Sequence, residues 1–171
     1  MPEIRPATAQ DLDEIWSLVR RAVAHMNALG NPQWGEDYPT RPHYALDLAR
    51  GELYVAAGAR GGILGVACVN TDQAPEYATL PWRVPAPAMV IHRMAVDPHA
   101  QRQGVASALF AFTEALARTR GIRAVHRDTY ALNDRMPALV RGRGYRPVGE
   151  VSFGRDSRPL TYPCFEKLLE P

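Results

Sequence analysis

Residues 88–118 read AMVIHRMAVDPHAQRQGVASALFAFTEALAR, and the rest of the chain is interpreted outward from this stretch. An apolar run with strand character, Met89–Val96, ends at Asp97-Pro98, because proline cannot continue a hydrogen-bonded ladder. A polar turn, Gln101–Gly104, leads directly into a helical pattern. The stretch therefore predicts a strand, a glycine turn and a helix in immediate succession.

The helical pattern after the turn is amphipathic. Apolar side chains recur at helical spacing and predict one buried stripe, made of Val105, Leu109, Phe112 and Leu116. The opposite face is predicted to be mostly polar, and it comprises Ser107, Ala111, Glu114 and Arg118.

The junction of turn and helix has the chemistry of a phosphate site. The first backbone N–H groups of a helix lack intrahelical acceptors, and the helix dipole places partial positive charge there. Gly104 permits close approach of a ligand to the backbone, and Arg102 adds a fixed positive charge. An ordinary strand–turn–helix with a polar loop is the other interpretation of the same residues.

The motif at this junction resembles the signature of the GNAT acyltransferases. Residues Gln101–Ala106 match the Q/R-x-x-G-x-G/A pattern of that family, and His92–Pro98 look like its preceding strand and turn. The C-terminal segment Tyr162–Lys167 is similar to the aromatic-x-x-F-E-K ending of one bacterial branch. The resemblance covers nearly the whole chain.

The order of predicted elements agrees with that resemblance. Strands are predicted at 3–5, 53–57, 63–70, 89–96, 124–130, 145–151 and 162–169, and helices behind Thr8–Asp11, Thr40, Gly104 and Asn133-Asp134. A polar turn around residues 155–159 links the last two strands. The fold class is thus α/β of mixed type, with a mostly antiparallel twisted sheet of six to seven strands and helices on both faces. The 171 residues fit a single domain, residues 1–171.

The proline-dense segment 72–87 cannot form a central strand. We expect it to arch over the surface and to form a wall of the site that binds the amine acceptor of the acyl group. Three carboxylates in such loops, Glu36, Asp37 and Glu76, are candidates to attract a cationic amine, although most loop carboxylates are merely solvated.

Composition limits the partners and the compartment. A formal net charge of +2 without a basic run argues against nucleic acid and against an anionic membrane. Cys68 and Cys164 lie in apolar runs at no metal-ligand spacing, so we expect reduced core cysteines and no metal. Residues 1–5 show no apolar signal region, and no stretch reaches membrane-spanning length, so the sequence predicts a cytoplasmic protein.

The resemblance implies acetyl-CoA as cosubstrate and assigns residues to it. In the family, backbone at the end of the strand pairs with pantetheine, a role that falls here to Met94, Ala95 and Val96. One of the N–H groups of Ala95 and Val96 would polarise the thioester carbonyl. The pyrophosphate would lie on the turn and the first helical turn, formed by Arg102, Gln103, Gly104, Val105, Ala106 and Ser107. Asn133 matches the asparagine that reaches the pantetheine arm, and a simple N-cap is its alternative role.

The catalytic groups are less well specified. Many family members carry a tyrosine seven residues after that asparagine as general acid, but Val140 stands at this position. Either another group replaces that acid, or the thiolate leaves unprotonated. The remaining phenols near the motif are Tyr130 and Tyr145, and a core aromatic is the alternative for both. His92 is a candidate general base that would take the amine proton through water, unless it is structural.

The expected activity is transfer of an acetyl group from acetyl-CoA to a primary amine of a small molecule or peptide, directly in a ternary complex. A GNAT-like domain that binds acyl-CoA as a sensor or interaction module, with weak or no catalysis, is the alternative. The resemblance also allows a homodimer, and transfer of a longer acyl group stays open.

Overall fold

The computed structural model describes residues 2–133, 135–154 and 160–170. These residues form one seven-stranded sheet with the strand order β1-β2-β3-β4-β5-β7-β6 and four α-helices. In chain order the elements are β1 (Glu3–Pro6), α1 (Leu12–Ala28), α2 (Arg41–Ala49), β2 (Leu53–Ala57), β3 (Ile63–Asn70), β4 (Met89–Val96), α3 (Val105–Thr119), β5 (Ala124–Asp128), α4 (Arg135–Gly142), β6 (Arg146–Val151) and β7 (Tyr162–Leu168).

The sheet is mixed, as expected for the predicted fold class. β1 with β2, β2 with β3, β5 with β7, and β6 with β7 pair antiparallel, whereas β4 pairs with β5 in parallel. The parallel register joins Met89 to Val125 and Val90 to His126 at the start of β4. Met94–Val96, at the other end of β4, lie beyond this register.

The chain divides into two compact units. The first contains the residues up to Asn70 together with Ile91–Phe112, and the second contains Thr71–Val90 together with the residues from Thr113 onward. Each unit has its own cluster of buried apolar side chains.

In the first unit, helices pack their apolar faces against β2 and β3. A capping box of Thr8 and Asp11 precedes α1, as predicted, with the Thr8 N–H donating to the Asp11 carboxylate at 2.7 Å. Thr40 caps α2, and Gly51 follows that helix with a φ of 69°. The core cluster includes Ile15, Leu18, Val19, Trp34, Tyr44, Leu53, Val55 and Val66.

In the second unit, the proline-dense segment contributes to the core. Tyr77 and Trp82 are buried with Val90, Tyr130 and Tyr162 in one cluster. The Glu166 carboxylate accepts the backbone N–H groups of Arg83 and Val84, both at 3.0 Å. The expectation that the whole segment runs over the surface is therefore wrong for its aromatic residues. Burial of their large apolar rings is favourable, so the rings join the core.

Two further expectations differ from the structure. Glu114 is buried and only 4% exposed, although the helical pattern predicts it on a polar face. Its carboxylate accepts hydrogen bonds from Arg143, Tyr145 and Lys167, which compensate its burial. β5 ends at Asp128, two residues before its predicted end. The predicted turn at 155–159 and residue 134 at the predicted start of α4 lie outside the described residues.

Candidate active site

The turn from β4 to α3 is fixed by Asp97. Its backbone N–H donates to the Leu64 carbonyl of β3 at 2.9 Å, and its carboxylate accepts the His99 N–H at 3.0 Å. Arg21 of α1 donates to the same carboxylate at 2.8 Å. Burial raises the pKa of Asp97, but these hydrogen bonds outweigh it and hold that pKa below its usual value. Contacts with β3 and with α1 thus fix the turn without any ligand.

The beginning of α3 offers donors to an anion. The Gly104 carbonyl accepts the Ala108 N–H at 2.9 Å, so Gly104 caps the helix. The N–H groups of the next three residues, Val105, Ala106 and Ser107, therefore precede the first intrahelical bond. Arg102 and Gly104 both have positive φ values, 65° and 77°, which fold the turn tightly, and the Arg102 side chain is exposed. Gln103 braces the turn, with its side-chain amide 3.3 Å from the His99 carbonyl.

Gly65 of β3 brings the end of β4 and the beginning of α3 together. A Cβ atom added at Gly65 would lie 2.6 Å from Cγ1 of Val105 and 3.2 Å from the carbonyl oxygen of Ala95. Both distances are shorter than ordinary van der Waals contact, so any side chain at this position would push the helix away. The two halves of the sequence-predicted phosphate and pantetheine site thus meet over a glycine.

The end of β4 is reached through an unusual backbone conformation. Arg93 has a φ of 48°, which L-amino acids rarely adopt, and the regular alternation of the strand breaks there. Met94 and Ala95 are both buried after His92 and Arg93, which are both half-buried. Such a break turns the backbone locally, as β-bulges do next to active sites.

His92 is held in one tautomer. Its Nε2 lies 2.7 Å from Oδ1 of Asn70, whose amide nitrogen donates to Glu52 at 2.9 Å. Because the amide nitrogen is committed to Glu52, Oδ1 is the acceptor and His92 Nε2 carries the proton. In the neutral ring the basic nitrogen is then Nδ1.

The two candidate tyrosines, Tyr130 and Tyr145, differ in the partners of their hydroxyl groups. The Tyr145 hydroxyl donates to the buried Glu114 carboxylate at 3.1 Å, which gives it a structural role. Tyr130 is 0% exposed, and its hydroxyl has no hydrogen-bond partner among the described residues. Val140 is fully buried, so the family's usual acid position holds a core side chain.

Asn133 acts as a helix cap. Its Oδ1 accepts the Met136 N–H at 3.0 Å, the bond that an N-cap side chain makes. The loop carboxylates Glu36 and Asp37 are exposed and Glu76 is half-buried. In the described part of the chain no group of three or more His, Cys, Asp or Glu residues could hold a metal ion, and no helix is long and apolar enough to span a membrane.

Comparison with known families identifies the class of protein. The family model described as Acetyltransferase (GNAT) family matches residues 22–145, more than half of the chain. The chain belongs to the GNAT acetyltransferase family. No curated protein matches it at a significant level.

Solved structures agree with this family. A Staphylococcus aureus Mu50 protein described as an acetyltransferase is 28% identical, with a TM-score of 0.73 over 98% of this chain and 99% of that chain. A GNAT acetyltransferase from Streptococcus agalactiae is 23% identical, with a TM-score of 0.84 over 99% and 96%. The ribosomal-protein-S18-alanine N-acetyltransferase from Escherichia coli is 16% identical, with a TM-score of 0.70 over 100% and 96%. The last two show the shared fold alone.

The chain is thus an enzyme of the acetyltransferase class, and GNAT acetyltransferases generally use acetyl-CoA. Its own residues fit that donor. The exposed Arg102 and the N–H groups that open α3 suit the negative charge of a pyrophosphate.

Several residues around the candidate site were not predicted from the sequence. Gly65 carries a usable signal, because a glycine inside a strand pattern often marks a close approach of another backbone. Asn70, which orients His92, and Asp47, which binds Arg93 at 2.6 Å and 2.7 Å, carry none. Their partners are 22 and 46 residues away in the chain.

Proposed function

We propose that residues 1–171 form a single GNAT domain, and that this enzyme transfers an acetyl group from acetyl-CoA to a primary amine of a small molecule or peptide, directly in a ternary complex. The observation that carries the proposal is the tight turn before α3, with positive φ at Arg102 and Gly104 and with Gly104 as the helix cap. The buried, unpaired cysteines Cys68 and Cys164 support a reducing, cytoplasmic setting.

Donor binding is assigned to backbone and to Arg102. The N–H groups of Val105, Ala106 and Ser107 would hold the pyrophosphate together with the Arg102 guanidinium. The backbone of Met94–Val96 would pair with pantetheine, and an N–H of Ala95 or Val96 would polarise the thioester carbonyl. Asn133 can serve both of its expected roles, because its oxygen caps α4 and its amide nitrogen is a separate donor.

Two side chains are assigned to the proton transfers. His92 Nδ1 would accept the amine proton through a water molecule, because its Nε2 proton is committed to Asn70. The Tyr130 hydroxyl would donate a proton to the departing thiolate. Burial of that hydroxyl without a partner is unfavourable for folding, which supports a role with a ligand.

A thiol-release assay tests the proposal. The purified chain is incubated with acetyl-CoA and a panel of primary amines that includes polyamines, amino sugars, amino acids and peptides with a free N-terminus. We expect CoA to appear in step with consumption of at least one amine, with the acetylated product identified by mass spectrometry.

The sensor alternative makes the opposite prediction. It is favoured by Val140, which is buried where the family often carries its acid. If calorimetry shows binding of acetyl-CoA while CoA release stays at the amine-free rate across the panel, the transferase proposal is overturned in favour of the sensor.

A further inference from the structure

Helix α2 carries two polar side chains on its buried face. Tyr44 and Asp47 are three residues apart and therefore lie on the same side of the helix, and they are only 0% and 2% exposed. A buried carboxylate on a helix needs a compensating partner. Both side chains have the same partner, Arg93 of β4.

The contacts hold both the side chain and the backbone of Arg93. The Asp47 carboxylate accepts hydrogen bonds from Nε of Arg93 at 2.7 Å and from Nη2 at 2.6 Å, which makes a bidentate pair. The Tyr38 hydroxyl accepts a third hydrogen bond, from Nη1 at 3.2 Å. The Tyr44 hydroxyl donates to the main-chain carbonyl of Arg93 at 3.1 Å. We call Tyr38, Tyr44, Asp47 and Arg93 the Arg93 clamp.

The clamp keeps its guanidinium charged. Burial lowers the pKa of Arg93, but the hydrogen bonds to Asp47 outweigh it and leave that pKa above its usual value. The guanidinium therefore carries its charge in the ion pair with Asp47.

The clamp encloses the one residue of β4 with positive φ. At 48° the backbone of Arg93 is in a conformation that an unrestrained arginine seldom adopts. Such a conformation persists where surrounding contacts stabilise it. Here Tyr44 and Asp47, both of α2, bind the carbonyl and the side chain of Arg93. The direction of the following peptide groups, Met94–Val96, depends on this turn of the backbone.

We propose that Asp47 and Tyr44 are positioning residues, which hold Arg93 so that the backbone groups of Met94–Val96 point correctly at the acyl-pantetheine arm of the donor. This inference rests on the proposed function, which assigns that arm to Met94–Val96. A purely structural ion pair is the competing explanation.

The test compares two ligands on matched variants. Tyr44→Phe removes the hydroxyl that holds the Arg93 carbonyl and keeps the ring, and Asp47→Asn keeps the shape and removes the charge. Tyr145→Phe is the control, because it also deletes a buried tyrosine hydroxyl with a 3.1 Å hydrogen bond, to Glu114. The ligands are acetyl-CoA and adenosine 3′-phosphate 5′-diphosphate, which carries the pyrophosphate and lacks pantetheine.

We expect Tyr44→Phe and Asp47→Asn to weaken acetyl-CoA binding about tenfold in calorimetry, which corresponds to about 1.4 kcal/mol. Binding of the nucleotide fragment should stay within about twofold of wild type, and the control should bind both ligands as wild type does. Unchanged acetyl-CoA affinity in Tyr44→Phe overturns the inference, as does an equal loss for both ligands, which marks a general structural effect.

Failure of the proposed function gives a different result. If wild type binds acetyl-CoA but acetylates no amine, the transferase proposal fails while the binding comparison still decides the role of the clamp. If Asp47→Asn does not fold, Tyr44→Phe alone carries the comparison, because it changes no charge and little volume.

Discussion

At the scale of single residues, Tyr130 and His92 differ in how their polar atoms are satisfied. The Tyr130 hydroxyl is buried without a partner among the described residues, which costs about 1–3 kcal/mol of folding free energy. His92 donates to Asn70, and this hydrogen bond selects its tautomer. The Tyr130 hydroxyl therefore has no bond within the described residues, whereas the Nε2 proton of His92 is bound to Asn70.

Replacement of Tyr130 by phenylalanine should separate stability from catalysis. We expect Tyr130→Phe to be as stable as wild type or more stable, by up to about 1–3 kcal/mol, because it removes an unsatisfied buried hydroxyl. The kcat should fall on the order of 100-fold, since general acid catalysis contributes at least that much. Thermal unfolding and CoA release measure the two effects.

Thr129→Val is the matched control for this prediction. Its Oγ1 is also buried without a partner among the described residues, and no part in proton transfer is assigned to it. We expect wild-type kcat in Thr129→Val. A destabilised Tyr130→Phe with unchanged kcat would show that the hydroxyl is structural.

The role of His92 is tested by the pH dependence of kcat/KM. As a general base it must be neutral, so kcat/KM of wild type should fall with decreasing pH in the range where imidazoles titrate. His92→Ala should lower kcat/KM on the order of 100-fold and lose this acid limb, whereas Asn70→Ala should lower kcat/KM and keep the limb. A pH profile of His92→Ala identical to that of wild type removes His92 from the mechanism.

At the scale of elements, β4, its turn and α3 act as one unit because they are fixed to β3. The Leu64 carbonyl holds the Asp97 N–H, and the absence of a side chain at Gly65 admits Val105. A strand end and a helix beginning can bind one ligand only if their separation is fixed, and β3 fixes it here.

A bulky side chain at Gly104 should block the donor. We expect Gly104→Trp to abolish acetyl-CoA binding while the fold is kept, because the ring would cover the first N–H groups of α3. Gly121→Trp is the control at the other end of the helix, where φ is 69° and an added Cβ meets open space. Both variants carry the backbone strain of positive φ, about 1–2 kcal/mol. Unchanged acetyl-CoA affinity in Gly104→Trp would overturn the site assignment.

Gly65→Ala should separate α3 from the end of β4. The added methyl group would lie 2.6 Å from Val105 Cγ1, and we expect a loss of about 1–3 kcal/mol in unfolding free energy together with weaker acetyl-CoA binding. Val105→Ala removes the clashing methyl group, so the double variant should be more stable than the sum of the two single losses. Strict additivity in this double-mutant cycle would argue against the close approach.

At the scale of the whole molecule, buried and paired titratable groups set the pH range of stability. A hydrogen bond from Arg5 lowers the pKa of Asp11 from 3.8 to about 2. Burial raises the pKa of Cys68 and of Cys164 from 9.0 to about 12. The folded state binds fewer protons than the unfolded state in acid and more in alkali, so stability should fall below about pH 4 and above about pH 9.

Asp11→Asn tests the acid side of this range. Because the pKa of Asp11 is lowered in the folded state, its contribution is present above about pH 4 and is lost as the pH falls towards 2. We expect wild type to exceed Asp11→Asn by about 1 kcal/mol at pH 7, a value reduced by solvent screening. Denaturant unfolding should show this difference shrinking as the pH falls through 2 and disappearing only below that pH. A difference independent of pH would contradict the assignment.

Much of the fold could be predicted because the relevant signals are local. β2, β3 and β4 have the predicted bounds, and the Thr8–Asp11 capping box and the glycines after α1 and α2 stand where the sequence places them. The errors arose where distant residues meet. Glu114 is buried because Arg143, Tyr145 and Lys167 donate hydrogen bonds to its carboxylate. The rings of Tyr77 and Trp82 pack in a core whose other members are distant in sequence, so the local pattern does not predict their burial.

The glycine turn of the proposed donor site was likewise visible in the sequence, and its binding of acetyl-CoA stays a prediction. A glycine turn before an amphipathic helix indicates an anion site by itself, because helix ends always leave N–H groups unbonded. The tautomer of His92, the unpartnered hydroxyl of Tyr130 and the clamp on Arg93 were not accessible, since each depends on which side chains surround an atom. The amino-acid sequence by itself determined the order of elements and the glycine turn before α3, because hydrogen bonds between near neighbours specify them. Tertiary structure alone decided the tautomer of His92 and the surroundings of the Tyr130 hydroxyl, because burial and the pairing of distant residues set both.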